Sequence, residues 1–212
     1  MFKEIVSELK HHIPFTAVGA ITGIIIMAII VFTNVLPQVS QISYPIFYIL
    51  HPAHVVLSAV ATTALYRKYS NSKTWAVILV GFAGSIGIAT LSDSIVPYLG
   101  ETLLGLENRG IHIGFIEEWL IVNLAALAGV IIGFWLPATR LPHSGHVLIS
   151  TWASLFHIIM ALGETVTWVL FLVIFFFLFL AVWIPVCLSD IIFPLLFTGK
   201  QLSPPEDITY NQ

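Results

Sequence analysis

The chain has 212 residues, of which 58% are hydrophobic and 9% charged, with a mean hydropathy of +0.98. A soluble domain carries about 25% charged residues, so the composition excludes a purely water-soluble globule and predicts an all-α integral membrane protein. The net charge of −3 points to no nucleic-acid partner, and one cysteine, Cys187, excludes a disulfide framework.

The first apolar run, about Phe15–Leu36, is too long for the hydrophobic stretch of a secretory signal. No small-x-small cleavage site follows it, so it reads as a retained span. Gly19 and Gly23 inside it form a GxxxG pair, which lets helices approach closely. Further runs follow at about Pro45–Tyr66, Trp75–Val96, Phe115–Leu136, His143–Gly163 and Trp168–Phe197, the last long enough to require tilt. Each reaches the roughly 20 residues that cross a hydrocarbon core. Lipid supplies no partner for backbone donors and acceptors, so each run must be helical. The short alternating segments of a closed barrel are absent.

The basic residues orient these six spans. Lys3 and Lys10 precede the first; Arg67, Lys68 and Lys73 lie between the second and third; Arg140 lies between the fourth and fifth, and Lys200 follows the sixth. Six crossings put all of them on one face, leaving Arg109 on the other beside Glu101 and Glu107. Basic residues are retained on the cytoplasmic side, so the expectation is an inner-membrane type protein with both termini cytoplasmic.

The second and fifth spans start alike. His51, His54, Val55, Ser58 and Ala61 match His143, His146, Val147, Ser150 and Ala153 at a constant offset of 92 residues. The third and sixth spans end alike: Leu91-Ser92-Asp93, Ile95, Pro97 and Leu99 match Leu188-Ser189-Asp190, Ile192, Pro194 and Leu196. The first and fourth both close on Leu-Pro, at Leu36-Pro37 and Leu136-Pro137. Rare polar residues in one order do not recur by chance, so residues 1–106 and 107–212 read as two copies of a three-helix unit. Three spans per copy is an odd number, so the copies enter the membrane from opposite sides as inverted repeats.

Each copy carries a chemical cluster. His51 and His54 share one helix face, and the end of the third span brings Asp93 to the same side of the membrane. By the same logic His143, His146 and Asp190 converge toward the opposite, cytoplasmic side. Two imidazoles and a carboxylate suit zinc, iron or manganese, with positions left open. Further ligands are available from Glu117 or Glu118, with His112 nearby, for the first cluster, and from Glu8, His11 or His12 for the second. His157 has a depth that permits it to join the first, and Ser58 and Ser150, one turn beyond each pair, would orient the ligands. Against this stands the bland reading, a duplicated structural Asp–His hydrogen bond or proton relay. Burying a charged Asp costs about 2.5–3.5 kcal/mol, and doing so twice opposite paired histidines favours metal.

No HExxH helix, Walker loop or GxSxG elbow is present. The leading expectation is a divalent metal-ion transporter embedded in the lipid bilayer, with homo-oligomerisation left open. The alternatives are a membrane-embedded metalloenzyme, hydrolase or oxidase, acting on a lipid-soluble substrate, and a b-type haem protein with one haem between His54 and His157.

Overall fold

A computed structural model describes residues 2–69, 73–136, 140–162 and 166–187, with side chains at 10, 13–67, 73–136, 145–162 and 166–185. Among the described residues there are helices and connecting turns and no strand. In chain order the helices are α1 (Phe2–Phe32), α2 (Leu36–Tyr69), α3 (Thr74–Thr90), α4 (Val96–Leu104), α5 (Gly114–Glu117), α6 (Trp119–Trp135), α7 (Arg140–Ala161) and α8 (Trp168–Cys187). A π-helical turn, Leu91–Ile95, joins α3 directly to α4.

Four stretches are long and apolar enough to cross a membrane: Ile13–Phe32, Leu36–Arg67, Thr74–Leu104 and Trp168–Pro185. Trp119–Trp135 and Gly145–Ala161 are apolar helices of shorter length. The fourth expected span is cut short at Glu118, whose φ of −116° and ψ of 49° leave the helical region and separate α5 from α6. Leu36-Pro37, expected to close the first span, instead opens α2. A proline loses nothing there, because the first N–H groups of a helix have no intrahelical acceptor. The turn before it uses Asn34 at φ 57°, a conformation asparagine tolerates better than most residues. The third run continues past Val96 to Leu104, with Pro97 accommodated in the first turn of α4. It ends at Gly105, whose φ of 64° suits glycine. There Leu106 N–H donates to Glu101 O at 3.0 Å and Gly105 N–H to Thr102 O at 3.2 Å.

Large apolar side chains dominate the outer faces of α1, α3, α6 and α8, among them Phe15, Ile25, Trp75, Leu124, Trp135 and Leu172. Polar side chains lie inside: His51, His54, Asp93, Glu101, His146, Ser150 and His157 are all buried. The interior is layered accordingly. One apolar cluster joins α1, α7 and α8 through Met27, Leu155, Ile159, Ile174 and Leu178. A second joins α2, α3 and α6 through Val55, Ile86, Ala89, Val122 and Ala126. Between them α2 packs against α7, and this interface carries the polar residues. The two helices run antiparallel: Leu57 lies by Gly145, His54 by His146, Phe47 by His157, and Ser40 Oγ donates to Ile159 O at 3.4 Å.

Small residues set the approach of the outer helices. Gly19 and Gly23 face Val147, Thr151 and Leu155 of α7. Gly129 and Gly133 face Val56, Ala59, Val60 and Thr63 of α2, so closely that a methyl on Gly129 would meet the Val56 carbonyl oxygen. Both pairs are GxxxG motifs used for close packing.

Candidate functional site

Asp93 is the centre of the buried polar seam. It sits in the π-helical turn, where Ser92, Asp93 and Ser94 are all buried, and this turn packs against α7 and α8. A π turn widens the backbone by one residue and is found disproportionately at functional sites. On the facing surface of α2, the three-residue spacing brings His51 and His54 to one side. Both reach the same carboxylate oxygen: His51 Nδ1 donates to Asp93 Oδ2 at 3.0 Å and His54 Nδ1 at 2.6 Å. The other oxygen, Oδ1, accepts from Ser92 Oγ at 2.6 Å and Ser150 Oγ at 2.9 Å. Ser154 on α7 closes the arrangement, its single O–H shared between Ser92 O at 3.0 Å and Ser150 O at 2.9 Å.

Four donors therefore satisfy one buried carboxylate. A hydrogen bond to a charged group contributes about 1.5–3 kcal/mol, so the set offsets a burial cost of about 2.5–3.5 kcal/mol. The geometry also fixes the histidine tautomers. An ionised carboxylate only accepts, so each Nδ1 carries its hydrogen; in a neutral ring the Nε2 is then the atom that presents a lone pair. His51 Nε2 and His54 Nε2 are both buried with no hydrogen-bond partner. An Nδ1-anchored imidazole with Nε2 exposed to a ligand is the usual posture of a metal-binding histidine with an outer carboxylate.

Asp93 thus meets His51 and His54, as the spacing predicts, but through hydrogen bonds. At 2.6 Å, Asp93 Oδ2 and His54 Nδ1 are closer than two ligands of one tetrahedral ion bound at about 2.0–2.2 Å would be. Among the described residues no group of three or more His, Cys, Asp or Glu side chains is arranged to hold a metal ion. His146, expected in a separate cluster toward the other face, stands against His54 with ring centroids 4.5 Å apart. Ser150, its neighbour one turn on, donates to Asp93. The reason is the antiparallel crossing of α2 and α7, which brings the matching positions of the two helices face to face. Ser58 is buried, and its Oγ has no hydrogen-bond partner. Asp190 and the side chains of His143, Glu8, His11 and His12 lie outside the described residues.

The remaining expected ligands occupy a second group near the 105–113 loop. Glu117 binds Tyr48 and His112 rather than the Asp93 group: Tyr48 Oη and His112 Nδ1 donate to its Oε2, the latter at 3.2 Å. Burial pushes the Glu117 carboxyl up, but the hydrogen bonds from Tyr48 and His112 outweigh it and hold the group below the usual carboxylate range. Glu118 stands at the break before α6. His157 Nδ1 donates to Glu101 Oε1 at 2.6 Å, with both side chains buried. Glu101 reads as a loop acid in the sequence because Glu107 and Arg109 follow; the extension of α4 to Leu104 draws it into the interior instead.

Comparison with known protein families, with curated proteins and with solved structures returns no match. Ser92 and Ser154 are partners of the central network that residue types alone did not single out. Ser92 was findable, since it belongs to the repeated Leu-Ser-Asp; Ser154 has no such signal.

Proposed function

We propose that the chain is a polytopic membrane protein of six spans in two inverted three-helix repeats, carrying a divalent transition metal ion (zinc, iron or manganese) across the bilayer. The central site uses His51 and His54. The observation that carries this reading is the pair of carboxylate-anchored imidazoles whose Nε2 atoms are buried without a partner. An unsatisfied buried polar group costs about 1–3 kcal/mol, and here two occur on one helix face. A metal ion accepts both lone pairs, and Asp93 then serves as the outer partner that orients them. His146 beside His54 supplies a third imidazole in the same seam, and the sequence match adds His143 and Asp190 as further donors. Imidazole-rich sites favour these metals over calcium or magnesium.

Several features support the inverted repeat. Exchanging α1 with α6, α2 with α7, and α3–α4 with α8 carries α2·α6 onto α1·α7, α2·α3 onto α7·α8 and α1·α8 onto α3·α6, and leaves α2·α7 in place. The GxxxG pairs of α1 and α6 then pack on matching stretches of α7 and α2. His54 and His146 occupy equivalent positions and touch, as residues beside a two-fold axis do. Transporters of this plan bind their cargo at the repeat interface. The 17 residues of α6 make a helix about 26 Å long, at the low end of the range that spans a bilayer. The basic residues favour cytoplasmic termini.

The test is elemental analysis of the purified full-length protein beside His51→Ala/His54→Ala and His143→Ala/His146→Ala. Native protein carries zinc, iron or manganese, and the first double variant loses it. Near-zero metal in all three ends the proposal.

A second reading, a membrane metalloenzyme of hydrolase or oxidase type, is favoured by one observation. His146 and Ser150 of the second copy meet the Asp93 group of the first. Metal that stays bound while proteoliposomes show no flux moves the assignment to the enzyme. The haem reading gains no support. His146 stands against His54, and eleven residues of helix put His157 about 16 Å further along α7.

A further inference from the structure

We infer that His157 and His112 form a second imidazole site for the same class of divalent transition metal ion, beside the 105–113 loop and divided from His51 by the Phe47 ring. The inference rests on the metal-carrying reading above.

The two rings lie 5.4 Å apart at 68° to one another. Each repeats the posture of the central pair. His157 Nδ1 donates to Glu101 Oε1 at 2.6 Å, and His112 Nδ1 to Glu117 Oε2 at 3.2 Å. Both carboxylates are fixed from behind by the backbone. Gly110 N–H donates to Glu101 Oε2 and Ile113 N–H to Glu117 Oε1, each at 3.3 Å. His157 is buried, and its Nε2 has no hydrogen-bond partner. A histidine kept only for packing has no need of an ionisable anchor together with an orphaned second nitrogen.

Position separates this cluster from the central one. Phe47 is fully buried; its ring stacks on His51 at 5.2 Å and meets His157 edge-on at 5.4 Å. His112 retains 26% side-chain exposure, so the cluster opens toward the molecular surface whereas His51 and His54 do not. Two imidazoles leave the other coordination positions to water, which suits an ion that keeps part of its hydration before passing Phe47.

The experiment titrates the full-length protein in detergent with Co2+, following its d–d absorption. His157→Gln removes the buried imidazole, and His112→Ala, partly exposed, tests the same site without emptying the core. Each is expected to bind one Co2+ fewer per chain than native protein, or to bind that ion about ten-fold or more weakly. The loss should add to that of His51→Ala/His54→Ala. Unchanged stoichiometry and affinity in His112→Ala and His157→Gln, with Co2+ lost in His51→Ala/His54→Ala, overturns this site and leaves the proposed function standing. Loss confined to His112→Ala and His157→Gln supports this site and overturns the central one. Failure of native protein to bind Co2+ overturns both.

Discussion

The four donors on Asp93 make its charge separable from its shape. Asp93→Asn keeps the volume and lets the amide turn its NH2 toward Ser92 and Ser150, whose hydroxyls accept as well as donate. The histidines then lose an anion but keep an acceptor. Zinc affinity is expected to fall about 10–100-fold, measured by titration, while the protein still folds; unchanged affinity would show that Asp93 does not tune the imidazoles. Glu117 gives a pH expectation of definite sign. Burial raises its pKa, but Tyr48 and His112 lower it further, so its folded value lies below its unfolded one. Its contribution is therefore complete above the ordinary carboxylate range, near about 4.3, and fades as pH falls through the folded value. Protection of the 110–118 amides, after correction for the intrinsic pH dependence of exchange, should fall on acidification below the ordinary carboxylate range, and Glu117→Gln should flatten that acid-side loss. The His51–His54–Asp93 grouping was legible because the spacing of three and the chain direction are both local properties. The hydrogen-bonded role of Asp93 was not, since residue type does not say whether a carboxylate meets Nδ1 or a metal.

Glycine positions divide the helices into faces that accept a side chain and faces that do not. Gly129→Ala drives a methyl into the Val56 carbonyl oxygen and the Ala59 side chain, and backbone does not yield as a side-chain tip does. A loss of about 1–3 kcal/mol is expected from overpacking. Gly87, an exposed position in α3, has nothing within 4 Å of an added Cβ. Gly87→Ala should stabilise by about 0.5–1 kcal/mol through helix propensity alone. Thermal melting of both variants in detergent checks the pair, and equal effects of the same sign would contradict this assignment of faces. Element boundaries are the least legible feature of the sequence. Leu36-Pro37 looks like a stop because proline ends helices, yet it begins α2, where proline is equally at home. The π-helical turn at Leu91–Ile95 has no periodic signature at all. It holds Asp93, whose carboxylate meets His51 and His54 of α2 and Ser150 of α7.

At the scale of the molecule the expectation is a topology. In a Cys187→Ser background, single cysteines at positions 71 and 138 should react from the same side of oriented vesicles, and cysteines at 34 and 108 from the other. Labelling of 71 and 138 from opposite sides would dismantle the inverted repeat. Hydropathy already implied a helical chain with long apolar segments, because lipid leaves an unpaired backbone no alternative. The duplicated His-x-x-His and Leu-Ser-Asp motifs likewise stand in the order of residues, independent of any packing. Convergence of the matching motifs is beyond reach of that order. Sequence offset gives membrane sidedness but not lateral contact, and it placed His146 with Asp190 at the far face. The antiparallel crossing of α2 and α7 brings His146 to His54 and Ser150 to Asp93. Burial of Glu101 against His157 has the same origin. Pairing across helices depends on where interlocking surfaces, here glycine contacts and two apolar clusters, hold the helix axes, and that is a property of the assembled bundle.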